Sequence, residues 1–125
     1  MKGKQFLLKL PMKPSLDTLF VTTPSAKADR TEAMLGSLGL NVTRADNICV
    51  AEIYSETQHF EAAVYDQSLT SEEQISLARI MRIRWPWMRI LRVAPGSAPP
   101  VEDGLFDCTA LSESQLPACI ERSLI

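Results

Sequence analysis

At 125 residues the chain fits one domain with one core, and a hydrophobic share of 46% argues against disorder. A net charge of −2 is too small to make nucleic acid or an anionic membrane the expected partner. The charge is unevenly placed. Residues 1–16 hold Lys2, Lys4, Lys9 and Lys13 and no acid, whereas residues 17–125 hold nine basic and fifteen acidic residues, a balance of −6.

This division predicts a basic N-terminal arm over residues 1–16 and a single domain over 17–125. Within the arm, Phe6-Leu7-Leu8 is too short for the apolar region of a signal peptide, and no window approaches the ~18 apolar residues of a membrane span. Pro11 and Pro14 punctuate it as an extended segment. Phe6, Leu8 and Leu10 are candidates for packing on another subunit. Cys49, Cys108 and Cys119 are odd in number and lack metal-like spacing. They read as reduced, partly buried apolar residues of a cytoplasmic protein.

From Thr18 the chain alternates strand and helix. Leu19–Thr22 is the first predicted strand. Pro24-Ser25 opens the first helix with Ser25 as its cap, Ala28, Met34, Leu35 and Leu38 form its apolar face, and Gly39 ends it. Leu40–Thr43 is the second strand, and Asp46 or Asn47 caps a second helix running to about Ser55. Ala62–Tyr65 is a short apolar run, the signature of a strand buried on both faces in a parallel sheet. Asp66 follows it at once. Thr70-Ser71-Glu72-Glu73 is a capping box that opens a third helix to Arg84, where Pro86 stops it. Its first turn is acidic and its last turn basic, which complements the helix dipole. Arg89–Val93 is the fourth strand and Phe106–Thr109 the fifth. Ser112–Gln115 reads as a second capping box before a last helix with Leu116, Cys119, Ile120 and Leu124.

Such alternation implies a doubly wound parallel sheet with helices on both faces. Ligands bind at the carboxyl ends of the strands in these folds, and Asp66 sits at such an end. It reads either as a chemical group or as a loop acid solvating a turn. The first turn, Thr22-Thr23-Pro24-Ser25, has no glycine-rich phosphate cradle. Dinucleotide, Walker-type and flavin binding are therefore disfavoured, and no cofactor is expected.

At this point the chain resembles the receiver domain of two-component response regulators. The resemblance rests on Leu19–Ser25, Leu35-x-x-Leu38-Gly39-x-Asn41-Val42, Phe60–Asp66 with Leu69, and Gly104 with Ser112–Leu124. It implies a flavodoxin-like five-stranded parallel sheet in order 2-1-3-4-5, with Asp66 as the phosphoacceptor. The departures from the pattern are chemical. The family's pair of acids, which help to hold Mg²⁺, falls on Thr22 and Thr23. Its hydroxyl residue falls on Val93 or Ala94, its lysine on Ala110 and its following proline on Leu111. Asp66 alone is a poor site for a hard, hydrated cation, and phosphoryl transfer without metal, hydroxyl and ammonium loses most of its rate. No metal is expected. Three prolines and a glycine in Ala94–Asp103 replace the family's fourth helix by a loop.

These readings predict a degenerate receiver, or pseudo-receiver, that acts as a protein-interaction or dimerisation module and is not an enzyme. The alternative is a functional receiver phosphorylated on Asp66 in a phosphorelay. Expected partners are a second copy, a sensor kinase or another regulator. Trp85 and Trp87, which flank Pro86, are interface candidates, as is Leu91 on the strand thought to lose its cover. His59, the single histidine, reads as a surface residue. Arg79, Arg82, Arg84, Arg89 and Arg92 read as a solvated basic group without the aromatic interleaving of a nucleic-acid site.

Overall fold

A computed structural model describes residues 15–96 and 104–124. Five parallel strands are wound with four α-helices: β1 (Asp17–Val21), α1 (Ala26–Ser37), β2 (Asn41–Ala45), α2 (Ile48–Thr57), β3 (Ala62–Tyr65), α3 (Ser71–Arg84), β4 (Arg89–Val93), β5 (Cys108–Ala110) and α4 (Leu116–Leu124). A short 3-10 turn, Glu113–Gln115, precedes α4. The sheet order is β2-β1-β3-β4-β5, the 2-1-3-4-5 order implied by the resemblance.

Side-chain alternation along the strands builds two cores. On one face Leu19, Val21, Ala63, Tyr65 and Ile90 pack with Ala51 of α2 and Leu77, Ala78 and Met81 of α3. On the other, Phe20, Val64, Leu91 and Val93 pack with Leu35 of α1 and Leu116 and Ile120 of α4. Each such large side chain contributes about 1.5–3 kcal/mol by leaving water. Strand β3 is buried at all four positions because it lies in the middle of the sheet with helices on both faces.

The helix starts follow the sequence signals. Ser25 Oγ accepts from Ala28 N–H at 3.0 Å, and Asn47 Oδ1, rather than Asp46, accepts from Val50 N–H at 2.8 Å. The Thr70/Glu73 capping box is complete, with bonds of 3.1 and 2.9 Å. Gly39, at φ 91°, takes the left-handed position after α1 that other residues resist. The expected box at Ser112 does not form. Gln115 Oε1 reaches back to the Leu111 N–H at 2.9 Å, and the Ser112 hydroxyl pairs with that of Ser114, so the chain enters α4 through a tight turn.

Two expectations are corrected by packing. Cys108 and Cys119 are not separate thiols: they form a disulfide between β5 and α4, because strand and helix bring their Cα atoms to 6.1 Å. Cys49 is free and exposed. Leu91 is no surface residue. It is 0% exposed, as is Ile90, because Leu105 and Phe106 fold back into the core beside Ile90 while α4 covers the Leu91 face. Strand β4 thus has no uncovered apolar face to offer a partner.

No helix lies between β4 and β5 among the described residues. The expectation of a helix-free Ala94–Asp103 falls partly outside them, at residues 97–103, and the arm candidates Phe6, Leu8 and Leu10 lie wholly outside. No described helix is long and apolar enough to cross a membrane.

At the outer strand β2, Arg44 binds Asp29 at 2.7 Å, Glu32 at 3.1 Å and Asp46 at 2.7 Å. These carboxylates, Asp29 foremost, hold its guanidinium protonated well above the ordinary range.

Candidate functional site

Asp66 caps the carboxyl end of β3, where its N–H donates to Val21 O at 3.2 Å. Its side chain is 2% exposed. The loop after β1 approaches it because Thr22 N–H bonds Ala45 O at 3.0 Å, which carries the strand pairing one residue beyond Val21. Thr22 Oγ1 then donates to Asp66 Oδ2 at 2.5 Å. The other carboxylate oxygen accepts twice from Ser68: from its N–H at 3.0 Å and from its hydroxyl. Ser68 Oγ is in turn held by Thr23 N–H at 2.9 Å. Both oxygens of the buried carboxylate are therefore occupied by donors of the same chain. These charge-assisted bonds offset the cost of taking the charge out of water.

The structure brings Asp66 and Thr22 into contact, while Thr23 contributes its backbone N–H. Val93 and Ala110 are register neighbours on β4 and β5, each 1% exposed and part of the core against α4. Neither carries a polar group to the site. Sequence reasoning missed two participants. Ser68 lies two residues past Asp66, the spacing at which a hydroxyl and N–H close an Asx-type turn. Gln74 occupies the inward stripe of α3 with Leu77, Ala78 and Met81, and a polar residue in that stripe was the available signal. Fully buried, Gln74 donates to Asp66 O at 3.0 Å and to Val93 O at 2.9 Å, tying the ends of β3 and β4 together.

Gln74 Oε1 accepts from Arg92 Nη1 at 3.2 Å. Arg92 is not a solvated strand end as expected. It is 4% exposed, bonds Thr109 Oγ1 at 3.2 Å and lies 4.7 Å from the Phe106 ring centroid. Burial lowers its pKa by disfavouring the charged form. Its basic neighbours serve the fold as well. Arg82 pairs with Asp107 at 2.8 Å, Arg84 lies 3.9 and 3.7 Å from Glu52 and Glu56, and Arg89 donates to Ser123 O at 2.5 Å.

The residues at Asp66 do not fit Mg²⁺. A hard cation needs free oxygen donors, usually carboxylates. Here one carboxylate already accepts three bonds, and the adjoining side chains, Thr22 and Ser68, donate into it. Among the described residues no group of three or more His, Cys, Asp or Glu could hold a metal ion. Beside Asp66 opens a cleft of about 350 Å³ lined by Lys27, Gln67, Val93, Ala94, Ser112 and Glu113.

At the opposite end of the sheet, Trp87 is 54% exposed. It stacks on His59 with centroids 6.1 Å apart and meets Trp85 edge-on at 5.4 Å. Trp85 Nε1 donates to Ser55 O at 3.1 Å. His59 is exposed, as expected of a surface residue, and is one member of this aromatic cluster.

No protein-family model and no curated protein matches the chain. Solved structures do. The CheY-like response regulator receiver domain of Methylobacillus flagellatus is 17% identical with a TM-score of 0.70, covering 86% of this chain and 98% of its own. The receiver domain of a sensor histidine kinase from Pseudomonas aeruginosa PAO1, solved with a magnesium ion coordinated in its active-site cleft, is 21% identical with a TM-score of 0.67, covering 87% and 97%. A Thermotoga maritima response regulator in complex with Mg²⁺ and beryllium fluoride is 12% identical with a TM-score of 0.64, covering 86% and 98%. The chain has the flavodoxin-like fold of response regulator receiver domains, with Asp66 at the end of its third strand tied into hydrogen bonds of its own chain.

Proposed function

We propose that this chain is a degenerate receiver: a signalling module that works by binding another protein, without phosphoryl transfer. The observation that carries this reading is the closed carboxylate of Asp66. Thr22 and Ser68 take both of its oxygens, and the neighbouring strand ends offer Val93 and Ala110 where a hydroxyl and an ammonium would be needed. An in-line phosphoryl transfer needs a free nucleophile and neutralised charge, and this arrangement supplies neither. The domain then signals by presenting a fixed surface to a sensor kinase, a regulator or a second copy in the cytoplasm. Its exposed Trp87, stacked on His59, is an anchor suited to such a contact.

One observation favours the second reading, a receiver phosphorylated on Asp66 in a phosphorelay. Lys27 lines the cleft next to Gln67, so a cation stands near the mouth of the site. Incubation with a small acyl phosphate and Mg²⁺, followed by intact mass measurement, separates the two. The degenerate reading expects an unchanged mass. A gain of one phosphoryl group that disappears in Asp66→Asn establishes the phosphorelay reading instead.

A further inference from the structure

The Cys108–Cys119 bridge has chemistry around it that a structural staple does not need. Arg122, one turn beyond Cys119 on α4, places Nη2 3.0 Å from the Cys108 sulfur and 3.9 Å from that of Cys119. Its guanidinium has no carboxylate partner among the described residues. A fixed cation beside a sulfur favours thiolate over thiol. It thereby raises reactivity near neutral pH and makes the same sulfur a better leaving group. Cys108, 8% exposed, is the more open of the two buried cysteines, Cys119 being 2% exposed, and it lies beside the exposed Arg122 side chain. The bridge is not the sole tie between α4 and the sheet. Leu116 and Ile120 seat α4 in the core with Phe20, Leu91 and Val93.

We propose that Cys108 and Cys119 are a redox-active pair that exchanges with a small-molecule thiol–disulfide couple of the glutathione class. Cys108 is the sulfur that meets the reagent, and Arg122 is a positioning residue that stabilises its thiolate. In the oxidising direction the Cys108 thiolate attacks glutathione disulfide. The sulfur–sulfur bond of the reagent breaks, one glutathione thiolate leaves and takes up a proton, and a mixed disulfide forms on Cys108. Cys119 gives its proton to solvent, and its thiolate attacks the Cys108 sulfur and displaces the second glutathione. Two protein thiols are oxidised to one disulfide, and one glutathione disulfide is reduced to two thiols. The consequence is a change in how firmly α4 is tied to β5, independent of any phosphoryl chemistry at Asp66.

The test uses the full chain carrying Cys49→Ser, which removes the exposed third thiol. The protein is equilibrated in glutathione buffers of graded thiol-to-disulfide ratio, quenched with a maleimide and weighed intact. The expected result is a smooth passage from zero to two maleimide adducts with the far-ultraviolet circular dichroism unchanged. For the reduced protein, Arg122→Gln moves the pH onset of alkylation upward and slows it about 3- to 10-fold at neutral pH, and Arg122→Lys restores most of the rate. A bridge that resists millimolar glutathione until denaturant is added overturns the proposal. So does a pair that stays reduced throughout, or a chain that unfolds on reduction. An unchanged alkylation profile in Arg122→Gln overturns the role given to Arg122.

Discussion

Thr22→Val is the sharpest probe of the Asp66 site. Valine keeps the branched outline of threonine and suits extended backbone, so no cavity is opened, and its methyl group has to draw back from the 2.5 Å at which the hydroxyl meets Asp66. What is lost is one proton donor to a carboxylate that is 2% exposed, from a residue that is 0% exposed. A hydrogen bond to a charged group contributes about 1.5–3 kcal/mol. Ser68 still serves the other oxygen, so the expected loss is about 2 kcal/mol. With an unfolding entropy near 2.1 cal/mol/K per residue, this lowers Tm by about 8 °C. Thr23→Val is the control. Thr23 is exposed and serves Ser68 through its backbone N–H, which valine retains, so the change stays within about 0.5 kcal/mol. Urea unfolding with a common slope measures both variants. Equal midpoints for the two would refute the claim that Thr22 donates into a buried carboxylate.

Further outcomes follow from neighbouring residues. Replacing Thr22 and Thr23 together by Asp sets like charges beside Asp66, so the variant melts lower than the parent in a chelator and regains stability with millimolar Mg²⁺, read by thermal melts with and without the cation. Gln74→Leu removes two donors from the buried carbonyls of Asp66 and Val93 and an acceptor from Arg92, at about 2–4 kcal/mol in urea unfolding; a loss under ~1 kcal/mol would show that the bridge is not needed. Tyr65 is fully buried, and its hydroxyl has no partner among the described residues, so Tyr65→Phe is neutral or stabilises by up to about 1 kcal/mol. Desolvation raises the Tyr65 pKa above its ordinary 10.0. The folded state therefore keeps the proton longer than the unfolded state, and stability falls as pH rises above that value; Tyr65→Phe should flatten this alkaline limb in a pH series of melts.

Much of the fold was legible because local and global signals agree. Ala62–Tyr65, Ser71–Arg84 and Arg89–Val93 have the limits read from apolar runs and caps. Strand β5 was placed early, at Phe106–Thr109 rather than Cys108–Ala110, and its residues are too few for a period to show. At the site, Asp66 was legible from its position after a buried strand. Ser68 and Gln74 were passed over although each had a local signal, the i,i+2 spacing from Asp66 and a polar place in the inward stripe of α3; their bonds to Thr23 and Val93 join separate elements and had none. The burial of Arg92 was hidden in the same way. An arginine near the end of a strand reads as solvated, and the Phe106 ring, the Gln74 amide and the Thr109 hydroxyl show where its charge is received. The disulfide was missed because eleven residues of separation say nothing about the packing of a helix on an edge strand.

The ion cluster of Arg44 bears on how this molecule can meet others. A sheet invites strand addition wherever its last ladder of N–H and C=O groups lies open. At one border, β2 carries an arginine anchored to acids of α1 and of the turn that follows the strand, so an incoming strand would meet a crowded, charged flank. At the other border, β5 is only three residues long, too short a template for stable pairing. Both margins are thus defended against growth of the sheet. Recognition is left to helix faces and to the ends of the strands, where side chains rather than backbone decide the partner.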